Sequence, residues 1–151
     1  MADDIDIAVF QNTFGEFDIR FGADGDFEKT QGFDTAIAIS LFGKRRATSA
    51  EVPVATRREG WWGNLTSLID DFENGSKLWL LQQERLTDET VNKAKDFVNK
   101  SLSWLVDQGF AVDVETDVNV VDGRLSINVR LERPNGQIEK TGFEFWNNTG
   151  E

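Results

Sequence analysis

The chain has 151 residues with 12 Phe and 5 Trp, and a formal net charge of −11. It has no Cys and no His, which removes disulfides, thiol nucleophiles, imidazole bases and His/Cys zinc sites together. The acidic surplus opposes binding to phosphate backbones and anionic lipid, which depends on Lys and Arg, and leaves a basic protein partner or plain solubility as its meaning.

The length fits one domain, and the aromatic residues supply much of the apolar volume for a core. No apolar run approaches the roughly 20 residues of a membrane span. The first residues, Met1, Ala2, Asp3, Asp4, Ile5 and Asp6, are acidic and lack the basic start of a secretory leader, so the chain is expected to stay where it is made. No motif calls for a cofactor, and any metal would need oxygen ligands.

In chain order, Ile5, Ile7 and Val9 alternate with Asp4, Asp6 and Ala8, and Phe17, Ile19 and Phe21 alternate with Asp18 and Arg20. Both are patterns of half-buried strands. Asn12, Thr13, Phe14 and Gly15 between them predict a hairpin turn. Residues 22–30 read as an exposed acidic loop. Asp24, Asp26 and Glu28 lack the Gly and Glu that complete a calcium loop.

Residues 34–41 fit either a short helix capped by Asp34, with Ile37 and Leu41 on one face, or a strand. Residues 43–64 read as a long loop containing Pro53 and the pair Trp61 and Trp62. Leu65, Leu68, Ile69 and Phe72 have helical spacing, with Gly75 suited to a left-handed C-cap and Ser76 to the N-cap of a short helix. The clearest helix covers residues 88–108, with Val91, Ala94, Val98, Leu102 and Leu105 on one stripe and Gly109 as its stop. Val112, Val114, Thr116, Val118 and Val120 then predict a strand face. Asp122 and Gly123 predict a turn, and Leu125, Ile127, Val129 and Leu131 the returning strand. Residues 138–146 add a third strand. The expected fold is α+β: one long helix packed on a small antiparallel meander, with an N-terminal β-hairpin and a long aromatic loop. The expected layout is one domain over residues 1–151, with a β unit and loop over 1–50, a core over 57–133 and a strand and tail over 134–151.

The run Arg57, Arg58, Glu59, Gly60, Trp61, Trp62, Gly63 and Asn64 is followed by Gly75, Ser76, Lys77, Leu78, Trp79, Leu80 and Leu81, then the long helix and the hairpin. In this order the segments resemble the Mu-like phage baseplate wedge protein family over residues 57–133. The helix-and-hairpin half is also similar to the sheath-initiator wedge proteins of contractile tails and type VI secretion. Those proteins often carry a Trp-Glu-Pro-Arg segment. Here Trp104, Leu105, Val106 and Asp107 hold the place, without its acidic-Pro-Arg part.

The resemblance implies a structural, non-enzymatic subunit in several symmetric copies around the tail tube. It would meet other wedge proteins and tube or sheath proteins, in the virion baseplate after assembly from the host cytoplasm. Residues for such contacts are Arg57, Arg58, Gly60, Trp61, Trp62 and Gly63 in the loop, and Ile138, Phe143, Phe145 and Trp146 on the last strand. A terminal strand leaves an edge open to a partner, and Trp is favoured at interfaces. Trp61 and Trp62 suit core packing equally, and Arg57, Arg58 and Arg85 suit surface ion pairs. Trp79 and Trp104 read as core. Two other functions fit the composition: a lysozyme-like carboxylate glycosidase, with Glu59 as its best acid, and another tail or head-completion protein.

Overall fold

The computed structural model describes residues 6–12, 16–30, 33–53, 57, 58, 60, 75–82 and 84–145. Helix α2 (Asp88–Asp107) organises the molecule. Its N-cap is Thr87, whose hydroxyl accepts the amide of Thr90, and Asp88 and Glu89 face the positive end of the helix dipole. Ala94, Val98, Leu102 and Leu105 form its buried stripe, none more than 1% exposed. Gly109, at φ +80°, turns the chain out of the helix.

The stripe lies on an antiparallel sheet of β5 (Asp113–Val121), β6 (Arg124–Glu132) and β7 (Ile138–Phe145), in the order β5-β6-β7. Asp122 (φ 52°) and Gly123 (φ 74°) make the tight turn that this residue pair favours. The register places Val118 opposite Ile127, and Ile127 opposite Phe143. Leu125, Ile127, Val129 and Leu131 are buried as expected. Val112 and Val120 are not: they are 59% and 45% exposed. The helix covers the centre of β5, and these two positions lie beyond it.

Residues 34–42 are helical, which settles the helix-or-strand alternative. α1 (Asp34–Phe42) buries Ile37 and Leu41 on one face. Asp34 is its first residue, and the cap position belongs to Phe33. The chain leaves α1 at Gly43 and is stitched there by the segment at Ser76. The Ser76 amide donates to Gly43 O (2.8 Å), Arg45 N donates to Ser76 O (2.9 Å), and the Ser76 hydroxyl donates to Leu41 O. Ser76 Oγ also accepts the amide of Leu78 at 3.2 Å, at the start of the 3-10 turn Leu78–Leu81. The expected helix over Leu65 to Phe72 lies outside the described residues, as do residues 54–56, 59 and 61–64 of the loop expected over 43–64. Trp79 and Trp104 are half-buried. Their indole N–H groups donate to Arg45 O (2.8 Å) and Ser40 Oγ (3.0 Å), which satisfies the polar edge of each ring.

The N-terminal unit is more divided than one hairpin. β1 (Asp6–Ile7) pairs with β4 (Lys29–Thr30), and β2 (Phe10–Gln11) pairs with β3 (Phe17–Asp18). Residues 22–28, part of the loop expected over 22–30, instead close a second tight hairpin over 20–28. Phe21 faces Phe27, Glu28 N donates to Arg20 O and Gly22 N to Asp26 O, both at 2.7 Å. Asp24 and Asp26 accept backbone amides of this turn. Among the described residues no group of three acidic side chains could hold a metal ion.

Phe17 packs on Phe42 (4.8 Å between ring centroids) and on Phe143 (6.0 Å), and Thr35 Oγ1 donates to Ile7 O at 2.6 Å. These contacts seat the unit on α1 and β7. The predicted apolar face stops there: Ile19 is 42% and Phe21 71% exposed. Beyond Asp18 the chain passes the rim of the core and pairs with its own return at Arg20–Glu28 and Phe21–Phe27.

Candidate assembly interface

β7 is an edge strand, so every second peptide group along it points away from β6. One of these groups is already occupied. Glu144 N donates to Gln11 Oε1 at 2.8 Å, and Gln11 Nε2 donates to Glu144 O. The primary amide of Gln11 thus imitates one peptide of a neighbouring strand. By alternation, Gly142, Lys140 and Ile138 present the same outward groups.

Between residues 8–12 and this edge runs a groove of about 860 Å³. Its charged lining residues are Glu28, Asp34 and Glu144, with no Lys or Arg. Burial pushes the Asp34 carboxyl above its usual range, and the nearby charge of Glu139 adds to this. Glu139 is itself held by Arg133, which donates Nε to Oε2 and Nη2 to Oε1, both at 3.0 Å. The Arg133 guanidinium also lies 4.9 Å from the ring centroid of Phe33.

The residues expected at an interface fall into separate places. Ile138 is 47% exposed at the start of β7. Phe143 and Phe145, at 8% and 5%, face inward and pack against Phe42. They fix the strand in place and leave its backbone edge as the accessible feature. Arg57 is exposed. Arg58 turns inward to close its own loop, donating Nε to Val52 O (2.7 Å) and Nη2 to Pro53 O (2.9 Å). Gly60 has φ +115°, and a Cβ there would meet Arg46 Cβ at 2.8 Å, so the glycine serves a close approach of backbone. Trp61, Trp62, Gly63 and Trp146, and the acid Glu59, lie outside the described residues.

Gln11 was missed by sequence reading. Its one visible signal is a polar amide next to Phe10 at the end of an alternating stretch, which does not indicate a target 133 residues away.

The architecture defines a small acidic α+β protein that presents an open strand edge beside a groove. Residues 33–138 match the family model described as Phage protein GP46. Baseplate protein gp46 of Escherichia phage Mu is 32% identical over 108 residues, covering 69% of this chain and 72% of that protein. The Mu-like prophage FluMu protein gp46 of Haemophilus influenzae is 31% identical over 130 residues, covering 85% and 88%. The chain belongs to the phage protein GP46 family, the Mu-like baseplate family that its middle segment resembles. The family match begins at Phe33 and ends at Ile138, so the N-terminal unit and nearly all of β7 lie outside it.

Proposed function

We propose that this protein is a structural, non-enzymatic subunit of a phage tail baseplate, placed in the wedge in several symmetric copies, and that the free part of the β7 edge accepts a strand from a neighbouring subunit. Kinship with the baseplate protein of phage Mu supports the baseplate role. The observation that carries the strand contact is the Gln11–Glu144 pair, in which the fold itself already places a peptide-like group on the edge. Beyond that pair, Gly142 offers the same groups on the wall of the groove, and Lys140 offers them further along the same edge. The acidic lining of the groove favours a segment bearing Lys or Arg, and tube, sheath and other wedge proteins are the neighbours that supply one.

A glycosidase reading finds less support in this geometry. It needs two carboxylates free to share a bond between them. The Asp34 pKa is raised, but of the carboxylates near it both oxygens of Glu139 are engaged by Arg133 and Glu144 accepts from Arg124 at 3.1 Å, and Glu59 lies outside the described residues.

The test is the copy number of the protein in purified tails, counted by quantitative mass spectrometry against tube and sheath proteins. The expected result is a fixed small multiple, six or a multiple of six on symmetry grounds. Absence from purified tails overturns the structural role.

A further inference from the structure

Two patches of opposite charge remain outside the strand edge. The first is the tip of the hairpin over residues 20–28. Phe21 is 71% exposed and stacks on Phe27 with ring centroids 4.9 Å apart and planes 23° apart. Ile19, two residues earlier on the same face, is 42% exposed. The hairpin carries Asp24, Asp26 and Glu28, with Asp18 just before it, and Arg20 is occupied over the ring of Phe10 at 4.1 Å. The hairpin is held by the backbone bonds Gly22–Asp26, Gly25–Gly22 and Glu28–Arg20, and Ala8 N donates to Glu28 O at 2.8 Å. The pad is therefore presented in a fixed geometry, which lowers the entropy cost of binding.

The second patch is a groove of about 590 Å³ along α2. Arg45, Arg46, Lys77, Lys93 and Lys100 line it, with Phe97 on its wall and Glu51 as the one carboxylate. Five of the 16 Lys and Arg residues of an acidic chain meet here, of which Lys77 pairs with Glu51 at 2.7 Å and Lys93 with Glu84 at 3.6 Å, so positive charge stays in excess. The groove belongs to the α2 side, which packs on β5, whereas the hairpin belongs to the unit seated against β7. The two patches share no lining residue.

We infer that the acidic Phe21/Phe27 hairpin of one copy docks in the basic α2 groove of a second copy, giving a head-to-tail contact between identical subunits. Apolar pad meets Phe97, and the hairpin carboxylates meet the Lys and Arg rim, so the sign of charge matches. A contact between two different patches of the same chain repeats from copy to copy and closes into a ring when the rotation permits. The net charge of −11 makes whole molecules repel at long range. The contact must therefore act at short range, and at physiological salt the repulsion is screened beyond about 8 Å. The inference rests on the multi-copy reading above, but its test does not depend on locating the protein in a tail.

Because the native chain has no Cys, single thiols report neighbours cleanly. Full-length Ala23→Cys (hairpin) and Ser103→Cys (one turn beyond Lys100 on α2) are mixed at physiological salt with a short bismaleimide. Ala23→Cys mixed with Asn128→Cys, on the outer sheet face, is the control. The expected result is a tip-to-groove dimer several-fold above control. It should be lost with Lys93→Glu and Lys100→Glu in the groove copy, and regained when the tip copy carries Asp24→Lys and Asp26→Lys. Circular dichroism of each variant confirms that the fold is retained. A yield no higher than control, or a loss that the reversed tip does not restore, overturns the contact. Either failure leaves the copy count in tails, and the baseplate reading, untouched.

Discussion

The side-chain amide of Gln11 and the peptide of Glu144 exchange two hydrogen bonds across 133 residues of chain. This pair joins the N-terminal unit to the end of β7 and covers the last outward-facing peptide of that strand. Gln11→Ala should lower stability by about 1 kcal/mol, the usual net value of such bonding. It should also speed hydrogen exchange at Glu144, while the amides of Phe143 and Phe145 stay protected in the ladder with β6. An unchanged exchange rate at Glu144 would show that the pair does not hold in solution.

Gly75 has φ +93°, and a Cβ on it would stand 2.6 Å from the Gly43 carbonyl oxygen and 2.7 Å from its carbon. Both are backbone atoms, fixed by the Ser76 amide bond to the same carbonyl. Gly136 has a similar φ of +86° but open space around it. Gly136→Ala should therefore cost about 1 kcal/mol, from backbone strain alone, and Gly75→Ala at least about 2 kcal/mol. Chemical denaturation of the two variants measures the difference. Equal losses would mean that the Gly43–Gly75 approach is not tight.

The elements that sequence reading located are those whose signal is local and repeated. α2 carries five apolar positions at helical spacing, and on either side of Asp122-Gly123 β5 carries three alternating Val and β6 four alternating apolar residues. The family-like segment at Ser76 was visible as a motif, and the structure gives its physical reason: it ties the end of α1 to the 3-10 turn. The N-terminal unit was only half legible. Strands of two residues, such as Asp6–Ile7 and Lys29–Thr30, hold a single period of alternation, too little to repeat, and their pairing is set by what they land on. The α2 groove was not legible at all, because Arg45, Lys77 and Lys100 become neighbours only after α2 packs.

Asp34 and Glu51 should respond to pH in opposite directions. Burial and Glu139 raise the Asp34 pKa above its unfolded value. Its contribution to stability is therefore full below the unfolded pKa and is lost as pH rises through the folded one. Asp34→Asn should melt higher than the wild type at pH 7 and equally at pH 3. For Glu51, burial pushes the carboxyl up, but hydrogen bonds from Lys77 and Thr48 and the charge of Lys77 bring it below its usual range. Its contribution is present above the unfolded pKa and is lost as pH falls through the folded one. Glu51→Gln should melt lower at pH 7, with the gap closing in strong acid. Melting curves at the two pH values check both signs. The same sign for both variants would contradict the assigned environments.

Lys140 tests the open edge most directly. It faces Arg130 across the ladder with β6, in the same alternation as Glu144 opposite Ser126. Its N–H therefore points away from β6, like the Glu144 amide that Gln11 occupies. Proline at this position removes no bond from the β6–β7 ladder, but takes away a donor that an added strand needs, and its ring obstructs the approach. Lys140→Pro should retain the wild-type circular dichroism spectrum and lose about 1 kcal/mol or less from the change in backbone preference. In a phage or prophage carrying it, the protein should be missing from purified tails or present well below its normal copy number. Thr141→Pro is the counterpart. Its N–H faces Val129 within the ladder, so it should weaken the fold itself. Normal incorporation of Lys140→Pro would show that assembly does not use this edge and would move attention to the loop containing Arg57 and to the α2 groove.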